Sequence, residues 1–385
     1  MWRNIASNFL TFLVVLVFLL AGVILWGQNQ YNSAGPLDGS ICLRVVSGSN
    51  MSVVSRELDK RDAIKSGALF RVGADYTDKA GLLKAGSWLI PEGASMAEMT
   101  DIITRGGAST CGTEVVYRIG ISRVRTDVRE LDPQTEAYVE VAEFDLLSEE
   151  PKPAEYAEVI GQSDTRFRLV VAEGVTSWQI TTALDAIEVL DGKVEGIPPE
   201  GSLAPFDYEF EKGDARIGLL ENMREVQKIR LAAAWEARDA DLPVDNPADV
   251  LILASIIEKE TGVAGEREQV ASVFVNRLRR GMRLQTDPTV IYGITNGQGV
   301  LGRGLRQSEL RGATPYNTYV IEGLPPTPIA NPGEASLMAA VNPADTNYVF
   351  FVADGTGGHA FAETLAQHNK NVARWRQIEA ERNNQ

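Results

Sequence analysis

The chain has 385 residues, 44% of them hydrophobic, enough for sizeable buried cores and for two or three domains. Its 52 acidic residues against 37 basic ones leave a formal net charge of −15. Phosphate binding rests on clustered Lys and Arg, so this balance argues against nucleic acid as a partner.

Phe9–Trp26 offers 18 consecutive residues without a charge, about the minimum for a helix to cross a bilayer. A cleaved signal peptide has an apolar core of roughly 7–15 residues followed by a small-residue cleavage site. Here Val23-Ile-Leu-Trp26 continues the run without such a site. An uncleaved transmembrane anchor over 9–27 is therefore expected, behind a cytoplasmic tail of residues 1–8. Arg3 precedes the span, and the next basic residue, Arg44, lies well beyond it. The positive-inside bias then puts the N-terminus in the cytoplasm and the bulk of the chain in the periplasm, in a single pass of the inner (cytoplasmic) membrane. Trp2 and Trp26 suit the two interfaces. Cys42 and Cys111 are the only cysteines. An oxidising exterior permits them to pair, and two lone cysteines can equally be buried and reduced.

Ser33–Gly39 reads as a short linker of small and turn-forming residues. A weak internal repeat follows. Ile90-Pro-Glu-Gly-Ala-Ser-Met-Ala-Glu-Met-Thr-Asp-Ile-Ile103 aligns with Val171-Ala-Glu-Gly-Val-Thr-Ser-Trp-Gln-Ile-Thr-Thr-Ala-Leu184, and a fainter copy begins at Val46. Each copy predicts a strand, a glycine turn, a Ser or Thr near a helix start and a short amphipathic helix. The unit resembles the LysM-type glycan-binding module, although strand–Gly–Ser/Thr–helix is also a common connection. Between 108 and 168, Val115–Ile121 and Ala137–Phe144 cluster β-formers and predict strands in a β-rich insertion. Leu219–Arg238 reads as a long amphipathic helix.

Asn246 and Pro247 then mark an N-cap and a first helical residue. Val250–Ile257 carries one polar side chain, Ser255, before Glu258-Lys-Glu260. A carboxylate held against such a surface loses hydration, and desolvation raises its pKa towards what a general acid needs near neutrality. The plain alternative is a helix end that reaches water. Glu266–Arg280 predicts a second helix stopped by Gly281, and Asp287-Pro288 opens another. Asp287 reads as its N-cap.

The stretches Ala254-Ser-Ile-Ile-Glu-Lys-Glu-Thr261, Arg283-Leu-Gln-Thr-Asp-Pro-Thr-Val-Ile-Tyr-Gly293, Thr314-Pro-Tyr-Asn-Thr-Tyr319, Gly323–Gly333 and Asp354-Gly-Thr-Gly-Gly-His-Ala-Phe361 come in this order along the chain. Together they resemble the MltG-type (YceG-like) endolytic murein transglycosylases, from about Gly86 onward. The resemblance implies an α+β chain: a transmembrane helix, small LysM-like α/β modules and a C-terminal α+β catalytic domain. The expected order is 40–107 a LysM-like module, 108–168 the insertion, 169–245 a second LysM-like segment with its connecting helix, and 246–385 the catalytic domain. Pro199–Tyr208 resembles a family motif ending in Leu-Phe-Pro-Asp-Thr-Tyr, but Ala204 and Phe206-Asp207 depart from it and leave any role for Asp207 open.

The implied activity is cleavage of the MurNAc–GlcNAc β-1,4 bond of nascent glycan strands to leave 1,6-anhydroMurNAc ends, terminating strand elongation. One Glu serves as acid and then as base towards the sugar's own C6 hydroxyl, and no metal or other cofactor is required. Glu258 and Glu260 compete, pointing about 200° apart on a helix. Glu258 stands over Ala254 and Ser255, with room for a sugar ring, whereas Glu260 stands over Ile256 and Ile257. The resemblance also favours Glu258, which is the expected catalytic residue. Gln285, Asp287, Tyr292, Tyr316, Asn317, Thr318 and Tyr319 are the expected substrate contacts, because amides, carboxylates and aromatic faces bind sugars. Each can equally be structural, and His359 is a further candidate for the cleft wall. Partners are peptidoglycan strands, the membrane and, left open, cell-wall synthesis proteins.

Absence narrows the alternatives. His359 and His368 form no zinc-type spacing, no Gly-x-Ser-x-Gly occurs, and Gly297–Gly302 lacks the context of a dinucleotide fingerprint and reads as a loop. A non-catalytic scaffold of the cell-wall machinery and a muramidase-type hydrolase with Asp287 as second carboxylate stay open.

Overall fold

The computed structural model describes residues 2–383, and side chains over 8–382. The expectations for Trp2 and Arg3 lie outside the described side chains. The first elements are α1 (Trp2–Asn32), β1 (Ile41–Val45), α2 (Met51–Lys60), α3 (Gly67–Tyr76), β2 (Gly86–Ile90) and α4 (Met96–Arg105). Then come β3 (Thr113–Ile119), β4 (Val124–Asp132), β5 (Ala137–Asp145), α5 (Ala154–Val159), β6 (Arg166–Val171), α6 (Ser177–Ala186) and β7 (Asp207–Phe210). The C-terminal part holds α7 (Arg216–Glu236), α8 (Pro247–Glu260), α9 (Arg267–Arg279), α10 (Asp287–Thr295), α11 (Gln307–Arg311), α12 (Glu334–Val341), β8 (Phe350–Ala353), β9 (His359–Ala362) and α13 (Leu365–Asn383). The class is mixed α+β. The chain forms two compact units: Met1–Val116, Asp127–Glu143 and Pro151–Phe167 make the first, and Tyr117–Thr126, Phe144–Glu150 and Arg168–Gln385 the second.

In the first unit, α1 contains a 25-residue apolar span, Asn8–Asn32, with mean hydropathy 2.9 and none of its most apolar window buried. That is compatible with a single-pass membrane anchor. The helix does not end where its apolar run ends. Tyr31 is buried and its hydroxyl donates to Thr100 Oγ1 on α4 at 2.8 Å. Its ring lies over Gly73 of α3, where a Cβ would come within 2.2 Å of ring carbon. Ser33–Gly39 is a linker, as expected, yet a docked one: Gly35 N donates to Gly93 O and Gly93 N to Leu37 O.

Antiparallel β1 and β2 pair Leu43 with Trp88, and both side chains enter a core with Phe70, Leu58, Met99 and Ile103. Each such burial contributes roughly 1.5–3 kcal/mol. Cys42 and Cys111 are disulfide-bonded, with Cα atoms 5.6 Å apart. Of the two alternatives left by the sequence, the bonded one is present.

The repeat appears as strand, positive-φ glycine and capped helix. After β2, Gly93 has φ +65° and Ser95 forms a capping box with Glu98. After β6, Gly174 has φ +78° and Thr176 does the same with Gln179. In the faintest copy the cap is Asn50, not a Ser or Thr, because its carboxamide oxygen takes the N–H groups of both Ser52 and Val53. Strands β3 and β5 match the sequence expectation. They belong to a five-stranded sheet of order β5-β4-β3-β6-β7. Strand β4 was not expected from the sequence; its Arg129 donates to buried Glu114 of β3 at 2.7 Å, so its charges pair rather than mark a loop.

In the second unit, α8 is the central element. Asn246 caps it through Asp249 N, Pro247 opens it, and Thr261 ends it in extended conformation. Val250, Leu253, Ala254, Ile256 and Ile257 are fully buried against Phe274 of α9 and Leu337 of α12. The helix is thereby fixed in rotation, and the side chains of its last turn have set directions.

The contact of Tyr31 with Gly73 yields a test. Gly73→Val forces a branched side chain into the tyrosine ring, and overpacking of this kind costs about 1–3 kcal/mol. Thermal unfolding of the full chain in detergent should show the first unit's transition lowered by several degrees. An unchanged transition would mean the α1 end is not docked there.

Candidate active site

The last turn of α8 presents Glu258, Lys259 and Glu260 in succession, and each binds a different segment. Glu258 Oε2 accepts from Gly333 N, at the start of α12, at 2.9 Å. Lys259 Nζ donates to Gly174 O at 3.1 Å, and burial lowers its pKa. Glu260 Oε1 accepts from the hydroxyl of Thr286, the residue before α10.

The two carboxylates sit in different company. Beside Glu258 stands Glu173, whose pKa is raised by partial burial and by the Glu258 charge and pulled down by Arg267 and Arg230. Around Glu260 stand Thr286, Asp287, His359 and Arg277. Burial pushes the Glu260 carboxyl up and the Asp287 charge adds to the rise, outweighing the Thr286 hydrogen bond, His359 and Arg277. Ile256 and Ile257 are fully buried in the core beneath the turn.

The expected substrate residues divide accordingly. Asp287 is exposed and its Oδ1 accepts from the Tyr319 hydroxyl at 2.7 Å. Burial first, and that bond second, raise the Tyr319 pKa. Gln285 is exposed in the left-handed region, φ +50°, held by its N–H to Thr318 O at 3.0 Å. A residue without glycine's freedom in that region marks a backbone set by its surroundings. Asp287 and Tyr319 stand near Glu260, and Gln285 precedes the Thr286 that binds it. Tyr292 and Tyr316 form a separate pair, ring centroids 5.1 Å apart. Tyr292 donates to Glu200 Oε2 at 3.2 Å, and the Tyr316 hydroxyl meets Thr327.

Two of the expected contacts are corrected. Asn317 and Thr318 are completely buried, so neither presents a surface to a ligand. Asn317 Nδ2 donates to the carbonyls of Glu309, Leu310 and Gly312, and its Oδ1 accepts from Tyr319 N. Thr318 Oγ1 accepts from Thr286 N at 3.0 Å. Both shape the wall behind Glu260. Asp287 is likewise not the N-cap of α10: Thr286 holds that position and Asp287 is the first helical residue. The Thr286 hydroxyl is turned to Glu260, and the Asp287 carboxylate is held by Tyr319.

Sequence reasoning missed several participants. Glu266 clamps the β8–β9 turn, accepting from His359 N at 3.0 Å and meeting His359 Nδ1 at 2.9 Å. Arg277 is buried and donates to Val349 O and Leu284 O, tying that turn's strand to the loop before α10. Glu200 is raised by burial against the lowering hydrogen bonds of Ser177 and Tyr292. Glu200 lies in the Pro199–Tyr208 stretch that departs from its family motif, and Glu173 falls inside the internal repeat, so neither stands out in the sequence.

A profile of the YceG-like family matches residues 128–374. The chain belongs to the YceG-like family. The family read from the motifs is therefore the one found. It is similar to a protein of Bacillus subtilis (strain 168) named endolytic murein transglycosylase, with 28% identity over 360 residues, covering 91% of this chain and 89% of that protein. A protein of the same name from Streptococcus pneumoniae serotype 2 (strain D39 / NCTC 7466) is 27% identical over 381 residues, 96% of this chain but 65% of its own length. The chain thus spans about two thirds of the streptococcal relative. The crystal structure of a YceG-like protein from Listeria monocytogenes aligns over 86% of this chain and 98% of its own, at 24% identity and a TM-score of 0.46.

The raised pKa of Glu260 has a sign that can be measured. Its folded value lies above the unfolded 4.5, so the ionised carboxylate subtracts stability as pH rises through the folded value and nothing below the unfolded one. Glu260→Gln removes this titration. The variant's melting midpoint should exceed that of the parent chain by a margin that opens from pH 4 to pH 8 and closes at pH 4. A margin that is constant, or larger in acid, would contradict the burial of this charge.

Proposed function

We propose that this chain is a membrane-anchored endolytic lytic transglycosylase. It cuts the MurNAc–GlcNAc β-1,4 bond of nascent peptidoglycan strands, leaves 1,6-anhydroMurNAc ends and so terminates strand elongation. The observation that carries the reading is Glu260: a carboxyl with pKa raised by burial, oriented by Thr286 and accompanied by the Asp287–Tyr319 pair. General acid catalysis needs a carboxyl that still holds its proton near neutrality.

In this reading protonated Glu260 gives its proton to the glycosidic oxygen as the bond to the muramyl carbon breaks. The carboxylate thus formed takes the proton of the sugar's C6 hydroxyl, whose oxygen closes on the anomeric carbon. The group ends the cycle protonated, and no water is consumed. Asp287, its carboxylate steered by Tyr319, supplies negative charge on the side where the sugar carbon becomes positive. Gln285 and Tyr319 would hold the ring.

Glu258, favoured by the sequence alone, keeps a second reading because Glu173 lies beside it. Partial burial and the Glu258 charge raise the Glu173 carboxyl. Against it, the Glu258 carboxylate is already engaged by the backbone N–H of Gly333.

The rest of the molecule fits this assignment. The apolar α1 suits a single-pass inner-membrane anchor with the bulk of the chain in the periplasm, where the Cys42–Cys111 bond persists. Segments 40–107 and 169–245 fit LysM-like roles in holding the strand. The catalytic domain, expected at 246–385, is joined at the cleft by Glu173 and Glu200 of the 169–245 segment. Cell-wall synthesis proteins are natural further partners.

The test uses uncross-linked glycan strands and mass spectrometry of the products. Glu260→Gln should lower cleavage by about 10²–10⁴-fold or more with folding intact, and Glu258→Gln should retain most activity. Products should be lighter by one water than hydrolysed ends. Activity retained in Glu260→Gln and lost in Glu258→Gln would move the role to Glu258. Reducing ends would make the enzyme a hydrolase, and uncut strands a scaffold.

A further inference from the structure

A groove with a cavity volume of about 360 Å³ opens beside Lys259 within the second unit. Its apolar surface comes from Ile121, Pro288, Ile291, Val300, Leu301 and Ile329. Two of these stand well into solvent, Ile121 at 46% and Val300 at 61% exposure. The lining also holds Lys259 and Arg303 and no carboxylate, in a chain whose net charge is −15. Lys259 uses one donor on Gly174 O and keeps others. Arg303 is oriented by two hydrogen bonds to Glu309, at 2.9 and 2.6 Å.

The walls are built rather than loose. The Thr176 hydroxyl donates to Gly297 O, and Gln179 Nε2 to Ile121 O, both at 2.6 Å. The start of α6 thereby ties the loop on one side to the β3–β4 turn on the other. Along that loop Gly299 and Gly302 have φ of +91° and +69° with open space where a Cβ would lie. Among the described residues, the backbone of 299–302 makes no hydrogen bond to the rest of the chain, which leaves amides and carbonyls for a ligand.

These features do not suit a sugar ring. Only one aromatic face, Tyr292, lines the groove, and its hydroxyl is committed to Glu200. They suit a short extended peptide with small apolar side chains and free carboxylates, read by bare backbone and by cations. The muramyl sugar carries such a peptide on its C3 lactyl group, with alanine methyls, the α-carboxylate of a γ-linked glutamate and a C-terminal carboxylate. We propose that this groove binds the anionic peptide stem of the strand being cut, so that strands still carrying their peptides are the preferred substrate. The proposal rests on the glycan-cleaving reading of the neighbouring Glu260.

Full-length chain in detergent is assayed on uncross-linked strands with stems intact and on the same strands stripped by an amidase. Wild type should show kcat/KM at least tenfold higher on stem-bearing strands. Val300→Glu and Ile121→Glu, both exposed positions, should lower that value about tenfold and leave stripped strands unaffected. Equal wild-type rates on both, or variants that lower both rates alike or neither, overturn the proposal. Direct binding of the free stem pentapeptide separates this from the reaction itself. Binding weakened about tenfold by Val300→Glu supports the groove even if no strand is cut, and absent or unaltered binding rules it out.

Discussion

The rotation of α8 is the constraint on which the site depends. Val250, Leu253, Ala254, Ile256 and Ile257 are fully buried, so turning the helix would expose apolar surface at about 25 cal/mol per Å². With the axis fixed, the last three residues radiate in set directions. Glu258 takes the Gly333 amide, Lys259 the Gly174 carbonyl and Glu260 the Thr286 hydroxyl. One helical turn thereby gathers three segments distant in sequence. The carboxyl that pays for this arrangement is Glu260, which is dehydrated without a full ion-pair partner and keeps its proton more tightly as a result.

Around it the chain provides orientation rather than extra charge. Asn317 uses its whole carboxamide on backbone groups, Thr318 bridges Thr286 and Thr289, and Tyr319 emerges from the same short segment to hold Asp287. Glu266 and Arg277 perform the same service for the β8–β9 turn that carries His359. Positioning of this kind matters because a proton donor works only within hydrogen-bond reach of the leaving oxygen. Buried polar groups that are fully satisfied hold such geometry firmly.

Local signals were legible wherever one short stretch contained its own cause. Asn246-Pro247 gave the start of α8, Gly281 the stop after α9, and Ser95 and Thr176 with their third-residue partners gave two helix caps. The apolar span and the family were legible for the same reason. What depends on residues far apart was not. Strand β4 hides its identity because Arg129 finds its partner on another strand. The choice between Glu258 and Glu260 could be posed from helical geometry. The sequence alone favoured Glu258, without the surroundings that Gly333, Glu173, Thr286 and Asp287 supply, since no periodicity encodes their meeting. Asn317 and Thr318 have the composition of sugar contacts and the burial of scaffold residues. Only tertiary structure separates the two.

The central claim is that burial raises the Glu260 carboxyl above the ordinary glutamate value while Asp287 beside it is held by Tyr319. Carboxyl-carbon NMR of the chain labelled at glutamate side chains, with Glu260→Gln to assign the resonance, measures this directly. The account predicts a Glu260 midpoint clearly above 4.5, falling towards the ordinary value when Asp287→Asn removes the adjacent charge. A midpoint at or below 4.5 would contradict it.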